Sequence, residues 1–149
     1  MTDLADVAAL VRRDHGLAVV STLRADGTIL SSVVNAGVLS HPLTGEQVIG
    51  FSTRRGARKL AHLRARPRAS LALRAGWEWA AAEGPVTLIG PDDPAPGIDA
   101  DRLRLLLREV FTAAGGTHED FGTFDTVMAQ EGRALVLVSP ERLYSNPAE

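Results

Sequence analysis

VIGFSTRRGARKLAHLRARPRASLAL, residues 48–73, is the stretch whose reading decides the fold. An apolar run at 48–51 carries Ser52 and Thr53 to the end of a strand, Arg54, Arg55 and Gly56 make a turn, and a helix begins at about Ala57. A second strand follows over 68–74. Hydroxyls, a glycine and cations therefore meet at a helix N-terminus, where unpaired backbone N–H groups and the positive end of the dipole favour a bound anion. At about 100° per residue, Arg55, Arg58, Lys59, His62 and Arg66 fall on one helical face, with Leu60 and Leu63 beside it.

No acidic residue lies between Glu46 and Glu78, although the whole chain carries a net charge of −2. The positive charge is thus local and uncompensated along the sequence. A basic helical face is either solvated or an anion site, and both readings stand at this point. Lys59 is the only lysine in an arginine-rich chain, and an ammonium is a compact point charge for phosphate.

Outside this stretch the chain reads as alternating hairpins and helices. Thr2 or Asp3 can cap a helix running to about Asp14, with Leu4, Val7, Ala8 and Val11 on the face that packs on the outside of a sheet, and Gly16 ends it. Residues 17–23 and 28–39 are rich in β-formers and flank an Ala25-Asp26-Gly27 turn, which makes them a hairpin. The strand at 48–53 runs antiparallel to the second of these. Gly76 permits a bend before a long strand at 77–89, which places Trp77 and Trp79 on one face and Glu78 on the other. Residues 91–97 form a Pro- and Asp-rich loop. Asp99 or Asp101 caps a helix carrying Leu103, Leu106, Leu107 and Val110, Asp120 begins another that runs to about Met128, and 134–138 is the last strand. Mostly hairpin connections argue for an antiparallel α+β barrel rather than a doubly wound parallel sheet.

A length of 149 residues fits one domain, 1–149. With no cysteine, disulfides, Cys-ligated metals and thiol catalysis are excluded, and with no signal-like start or long apolar span the expectation is a cytoplasmic protein without a membrane partner. The four histidines lack a second ligand at i+3 or i+4, so no metal site is expected, and His15, His41 and His118 read as turn or surface residues. No Walker loop, nucleophile elbow or dinucleotide fingerprint occurs. The basic stretch lacks the interleaved aromatics that would stack on nucleic acid, so no nucleic-acid partner is expected.

Phe51, Thr53, Arg58-Lys59, Leu63, Pro67 and Ala69-Ser70-Leu71 stand at the spacing of the flavin-binding split-barrel proteins related to pyridoxamine 5'-phosphate oxidase, which the chain resembles. The likeness extends to the deazaflavin-dependent branch through three features. These are the hairpin at 22–35 with its Asp-Gly turn, the Gly76-Trp77-x-Trp79 to Glu83-Gly84 strand, and the acidic insertion followed by two C-terminal helices.

The resemblance implies an antiparallel split β-barrel with flanking helices (the FMN-binding split barrel) and a homodimer with the cofactor near its interface. It further implies a coenzyme F-420-dependent oxidoreductase moving a hydride between the reduced deazaflavin and a small organic acceptor. Arg58, Lys59 and Thr53 would hold the cofactor phosphate with Ser52 and His62 nearby, Ser32, Val33, Val34 and Asn35 would face the ring, and Arg54 and Arg55 would meet further negative charge. Trp77 and Trp79 would either pack in a core or dimer contact, or line the ring pocket. Two alternatives are an FMN-dependent oxidase or reductase, and a non-catalytic carrier of a deazaflavin or a tetrapyrrole.

Overall fold

The structure is a computed structural model that describes residues 2–146. It opens with helix α1, Leu4–Arg13, fixed by a capping box. The Asp3 carboxylate accepts the Asp6 N–H at 3.0 Å, and the Asp6 carboxylate accepts the Asp3 N–H at 2.9 Å. Left-handed residues at His15 (φ 56) and Gly16 (φ 65) end it and turn the chain into β1, Leu17–Leu23. Arg24 to Thr28 closes a tight hairpin to β2, Ile29–Asn35, in which the Asp26 carboxylate accepts both the N–H and the hydroxyl of Thr28.

The second β-rich run is two strands, not one. β2 ends at Asn35, and β3, Gly37–Ser40, leaves it across Ala36, whose N–H is taken by the Gly16 carbonyl at 2.8 Å. The reason is steric. A Cβ on Gly37 would stand 2.3 Å from the Ala113 backbone, and one on Gly16 would stand 2.2 Å from the Ala36 carbonyl oxygen. Three chain segments meet there backbone to backbone.

β4, Gln47–Thr53, pairs with β3 on one side and with β7, Ala134–Val138, on the other. Helix α2, Arg58–Ala65, and β5, Arg68–Ala75, follow. Then a two-residue turn at Gly76 (φ 62) and Trp77 leads into β6, Glu78–Ile89. β6 belongs to both halves of the sheet: its first part pairs with β5 and its last four residues with β7. At the change-over a Cβ on Gly84 would meet the Ser139 carbonyl oxygen at 1.9 Å, so only glycine lets the chain cross so closely. Helices α3, Ala100–Ala113, and α4, Phe121–Gln130, are capped by Asp99 and Asp120.

All the ladders are antiparallel, in the order β2-β1-β5-β6-β7-β4-β3, and the sheet is not closed by a ladder between its end strands. A final strand, β8, Arg142–Ser145, pairs with β6 beyond the Ser139-Pro140 step that reads as the end of the strands in the sequence. Its alternation is too short and too polar to announce itself; pairing with an existing edge makes it a strand.

Two apolar clusters hold the layers. One gathers Val20, Phe51, Leu71 and Val136 from the strands with Leu60 and Leu63 of α2 and Val7, Leu10 and Val11 of α1. α1 thus feeds the same cluster as the buried side chains of β1 and β5. The other cluster joins Leu135 and Leu137 to Leu106, Leu107 and Val110 of α3 and Phe124 of α4. β7 is consequently buried on both faces. Among the described residues no helix is long and apolar enough to cross a membrane.

His41 stands in a turn, with its carbonyl accepting the Gly45 N–H at 2.8 Å, but it is not a surface residue: it is only 4% exposed. Its Nδ1 accepts the Leu43 N–H at 3.1 Å, which puts the ring proton of the neutral form on Nε2, 3.1 Å from the Thr87 hydroxyl. Burial pushes its pKa down, and the Glu46 carboxylate only partly opposes this. The unfolded chain therefore takes up this proton at a higher pH than the folded chain does, and stability is lost as pH falls below about 6.5, the unfolded value. Urea unfolding between pH 7.5 and 5.5 should show this loss for the wild type and a flatter profile for His41→Gln. Equal slopes would contradict the assignment.

Candidate functional site

β4 delivers Ser52 and Thr53 to a turn in which Gly56 takes a left-handed conformation (φ 85), and α2 starts immediately after it. The N-cap residue of α2 is Ala57, with no side chain to bond the first-turn N–H groups. Such a helix start favours an anion through its backbone N–H groups and dipole. Beside it opens a cavity of about 1160 Å³. Its polar end holds Ser52, Thr53, Arg54, Arg55, Arg58, Lys59 and Arg133. Its apolar lining comes from Val33 and Val34 of β2, Phe111 of α3, and Phe124, Val127 and Met128 of α4.

Lys59 is half-buried. Burial lowers its pKa first, and repulsion from Arg133 and then Arg54 adds to the lowering. Among the described residues no carboxylate is paired with Lys59, Arg54 or Arg58. Crowded like charges in a partly dry place are stabilised by an anion that returns what burial removes. This donor set, with Thr53 and the free helix end, fits a phosphate.

The rest of the basic stretch is compensated in space by residues remote in sequence. Arg55 lines the cavity but donates from Nε to Asp92 at 2.8 Å, so its charge is not free as the local sequence suggests, and it precedes α2 rather than lying on its face. Arg64 grips Asp93 through two bonds of 2.8 and 2.7 Å, and Arg68 pairs with Glu141 at 2.7 Å. The loop at 91–97 and the C-terminal arm supply these carboxylates. His62 faces β1, with its Nδ1 3.1 Å from the Thr22 hydroxyl, and Arg66 donates to the Leu23 carbonyl; both tie α2 to the sheet and neither lines the cavity.

Ser32 likewise stands outside the lining, whereas Val33, Val34 and Asn35 are on it. Asn35 is held by its side-chain N–H to the His15 carbonyl at 2.9 Å. The two tryptophans leave the cavity altogether within one chain. Trp77 is at the tip of a hairpin and 95% exposed, and Trp79 meets Tyr144 edge to face at 6.2 Å. Neither is core.

Several cavity residues escape the sequence reading. Arg133 is 81 residues from Ser52 in sequence yet lies against it, with Nη1 at 3.4 Å from its carbonyl. His118 and His15 also line the wall. His118 accepts the Asp120 N–H on Nδ1 at 3.1 Å and stacks among Phe111, Phe121 and Phe124, so the neutral ring carries its proton on Nε2. The usable signal is the Gly115-Gly116 helix end, itself part of the cavity lining, followed by a His and aromatic residues.

The sequence profile of the pyridoxamine 5'-phosphate oxidase family matches residues 4–145. The chain belongs to that family. No curated protein matches it in sequence. Among solved structures, a conserved hypothetical protein of Mycobacterium tuberculosis is 20% identical with a TM-score of 0.68, covering 97% of this chain and 84% of its own. A pyridoxamine 5'-phosphate oxidase-related, FMN-binding protein of Nostoc punctiforme is 15% identical with a TM-score of 0.65, covering 95% and 81%. A structure named F420 reductase is 14% identical with a TM-score of 0.59, covering 91% and 94%. At these identities the likeness is one of fold, the split barrel of this oxidase family.

If the α2 end takes a phosphate, replacing both Arg58 and Lys59 by alanine should erase most of the difference in affinity between riboflavin 5'-phosphate and riboflavin. Charge-assisted bonds of about 1.5–3 kcal/mol each predict a loss of at least about tenfold for the phosphorylated ligand alone. Fluorescence titration reads it. An unchanged difference in a variant that melts like the wild type would remove the phosphate from this end.

Proposed function

We propose that this protein is a coenzyme F-420-dependent oxidoreductase that passes a hydride between the reduced deazaflavin and a small organic acceptor. The observation that carries this reading is a cavity whose lining joins Arg54, Arg58 and Lys59, without carboxylate partners among the described residues, at a helix start to apolar side chains from β2, α3 and α4. When bound, the reduced deazaflavin supplies the hydride. The chain's own work is to hold the phosphate at Thr53, Arg58 and Lys59, to wall the ring with Val33, Val34 and Asn35, and to exclude water with Phe111, Phe124 and Met128. The fold neighbour named F420 reductase agrees with this choice, and Arg54 extends the positive surface beyond what one phosphate monoester needs, whereas Arg133 is paired with Glu131 at 3.2 Å.

A second reading is an FMN-dependent oxidase or reductase. It is favoured by the Arg55–Asp92 pair, which withdraws one of the cations that a longer anionic cofactor would use. The FMN-binding neighbour of Nostoc punctiforme agrees with it. Protein purified from a host without deazaflavin is expected to be colourless, and to bind added deazaflavin coenzyme more tightly than flavin mononucleotide. A yellow preparation holding stoichiometric flavin mononucleotide would promote the second reading.

The same proposal includes a homodimer. On the outward face of the β1–β2 hairpin, Leu23 pairs with Ile29 and Val19 with Val33, and all four are exposed, Val33 by 66%. An exposed apolar strip of this kind, interrupted by the hydrogen-bonded Ser21–Ser31 pair, marks a contact surface. Because Val33 also lines the cavity, a second copy seated on the strip would reach the cofactor site. Light scattering at micromolar concentration should give twice the chain mass for the wild type and a single chain for a variant carrying Leu23→Lys and Ile29→Lys. A wild-type monomer that still binds cofactor tightly would refute the dimer.

A further inference from the structure

Arg55 lines the cavity, yet its guanidinium is held by a carboxylate that does not. Nε donates to Asp92 Oδ2 at 2.8 Å and Nη2 to Oδ1 at 3.3 Å, the forked geometry that a ligand carboxylate or phosphate would also take. Both partners rest on a fixed backbone. The Arg55 N–H is bonded to the Glu131 carbonyl at 2.9 Å, and its side chain lies over Gly132, where an added Cβ would come within 3.0 Å of Cζ. Asp92 sits in a loop closed by reciprocal backbone bonds of 3.0 Å between Gly90 and Asp93, and pinned again where Asp93 grips Arg64. None of these ties needs the Arg55–Asp92 pair. The pair itself is open to water, its side chains 56% and 48% exposed, and therefore screened and exchangeable.

We propose that Arg55 marks a second anion subsite of the cavity, and that Asp92 is an internal carboxylate occupying that subsite until a ligand's own second anionic group displaces it. The ligand class is a cofactor whose phosphate continues into further carboxylates, as in the deazaflavin coenzyme; a ligand that ends at its phosphate does not reach Arg55. Asp92 is on this account a specificity-determining residue. The inference rests on the phosphate-bearing cofactor occupying this cavity.

The test is the affinity of Asp92→Asn for two ligands, the polyglutamylated deazaflavin coenzyme and flavin mononucleotide, at low and high salt. Removing the internal competitor should tighten the deazaflavin coenzyme by about three- to fivefold at low salt, the scale of an exposed ion pair, and leave flavin mononucleotide within about twofold. The gain should vanish at high salt and in the double variant Arg55→Ala, Asp92→Asn. An Asp92→Ser variant should repeat the result, because the exposed side chain carries no packing. Equal tightening of both ligands would mean that Arg55 serves the phosphate itself, and no tightening of either would mean that Asp92 does not compete. Both outcomes overturn the subsite while leaving the cofactor reading standing. A wild type that binds neither ligand overturns the cofactor reading and the subsite with it.

Discussion

A three-way approach of backbone to backbone, where Gly16, Ala36-Gly37 and Ala113-Ala114 meet, governs much of what surrounds it. The Ala36 N–H is bonded to the Gly16 carbonyl, and a side chain on either glycine would collide with main-chain atoms at 2.2–2.3 Å. Main chain cannot yield as a flexible side chain can, so α1, the β2–β3 step and the end of α3 share one fixed point. From it β2 carries Val33, Val34 and Asn35 to the cavity lining, and α3 brings Phe111 and the Gly115-Gly116 turn to the same lining. The cavity is in this sense the space left between elements that the junction holds apart.

Charge at the cavity is selected by what the fold brings opposite each cation. Arg64 and Arg68 have fixed carboxylate partners, and Arg55 has an exposed one. Arg54, Arg58 and Lys59 have none among the described residues. These three lie at the uncapped start of α2, where backbone N–H groups add to the same field. Leu60 and Leu63, from the same helix, are in the core, so the helix that presents the cations is also held firmly by them. Rigid placement matters because a preorganised anion site loses little on binding.

The α3–α4 pair has a different role. Its inner side is part of the second apolar cluster, and Phe111 of α3 and His118 of the connection line the cavity. Asp125, paired with Arg104 and Arg108, clamps the two helices together, while Arg108 lies over the Phe121 ring. This part of the lining is accordingly a built surface, stiffened from behind.

Much of this was legible in the sequence because it depends on neighbours along the chain. The caps at Asp3, Asp99 and Asp120, the Asp26-Gly27 hairpin, the helix ends at Gly16 and Gly115, and the placing of Thr53 and Lys59 around a strand-to-helix turn all follow from local stereochemistry and periodicity. The family resemblance of residues 51–71 rested on the same local spacing. Tertiary structure alone decided which charges stay free, since Asp92, Asp93 and Glu141 lie about thirty to seventy residues from the arginines they meet. It alone broke residues 28–39 at Ala36, buried His41 against Thr87, put both tryptophans at the surface and brought Arg133 beside Ser52. The physical reason is one of range. Backbone conformation is set by residues within a turn or two, but burial and pairing are set by which distant segments arrive at the same place, and no local pattern carries that information.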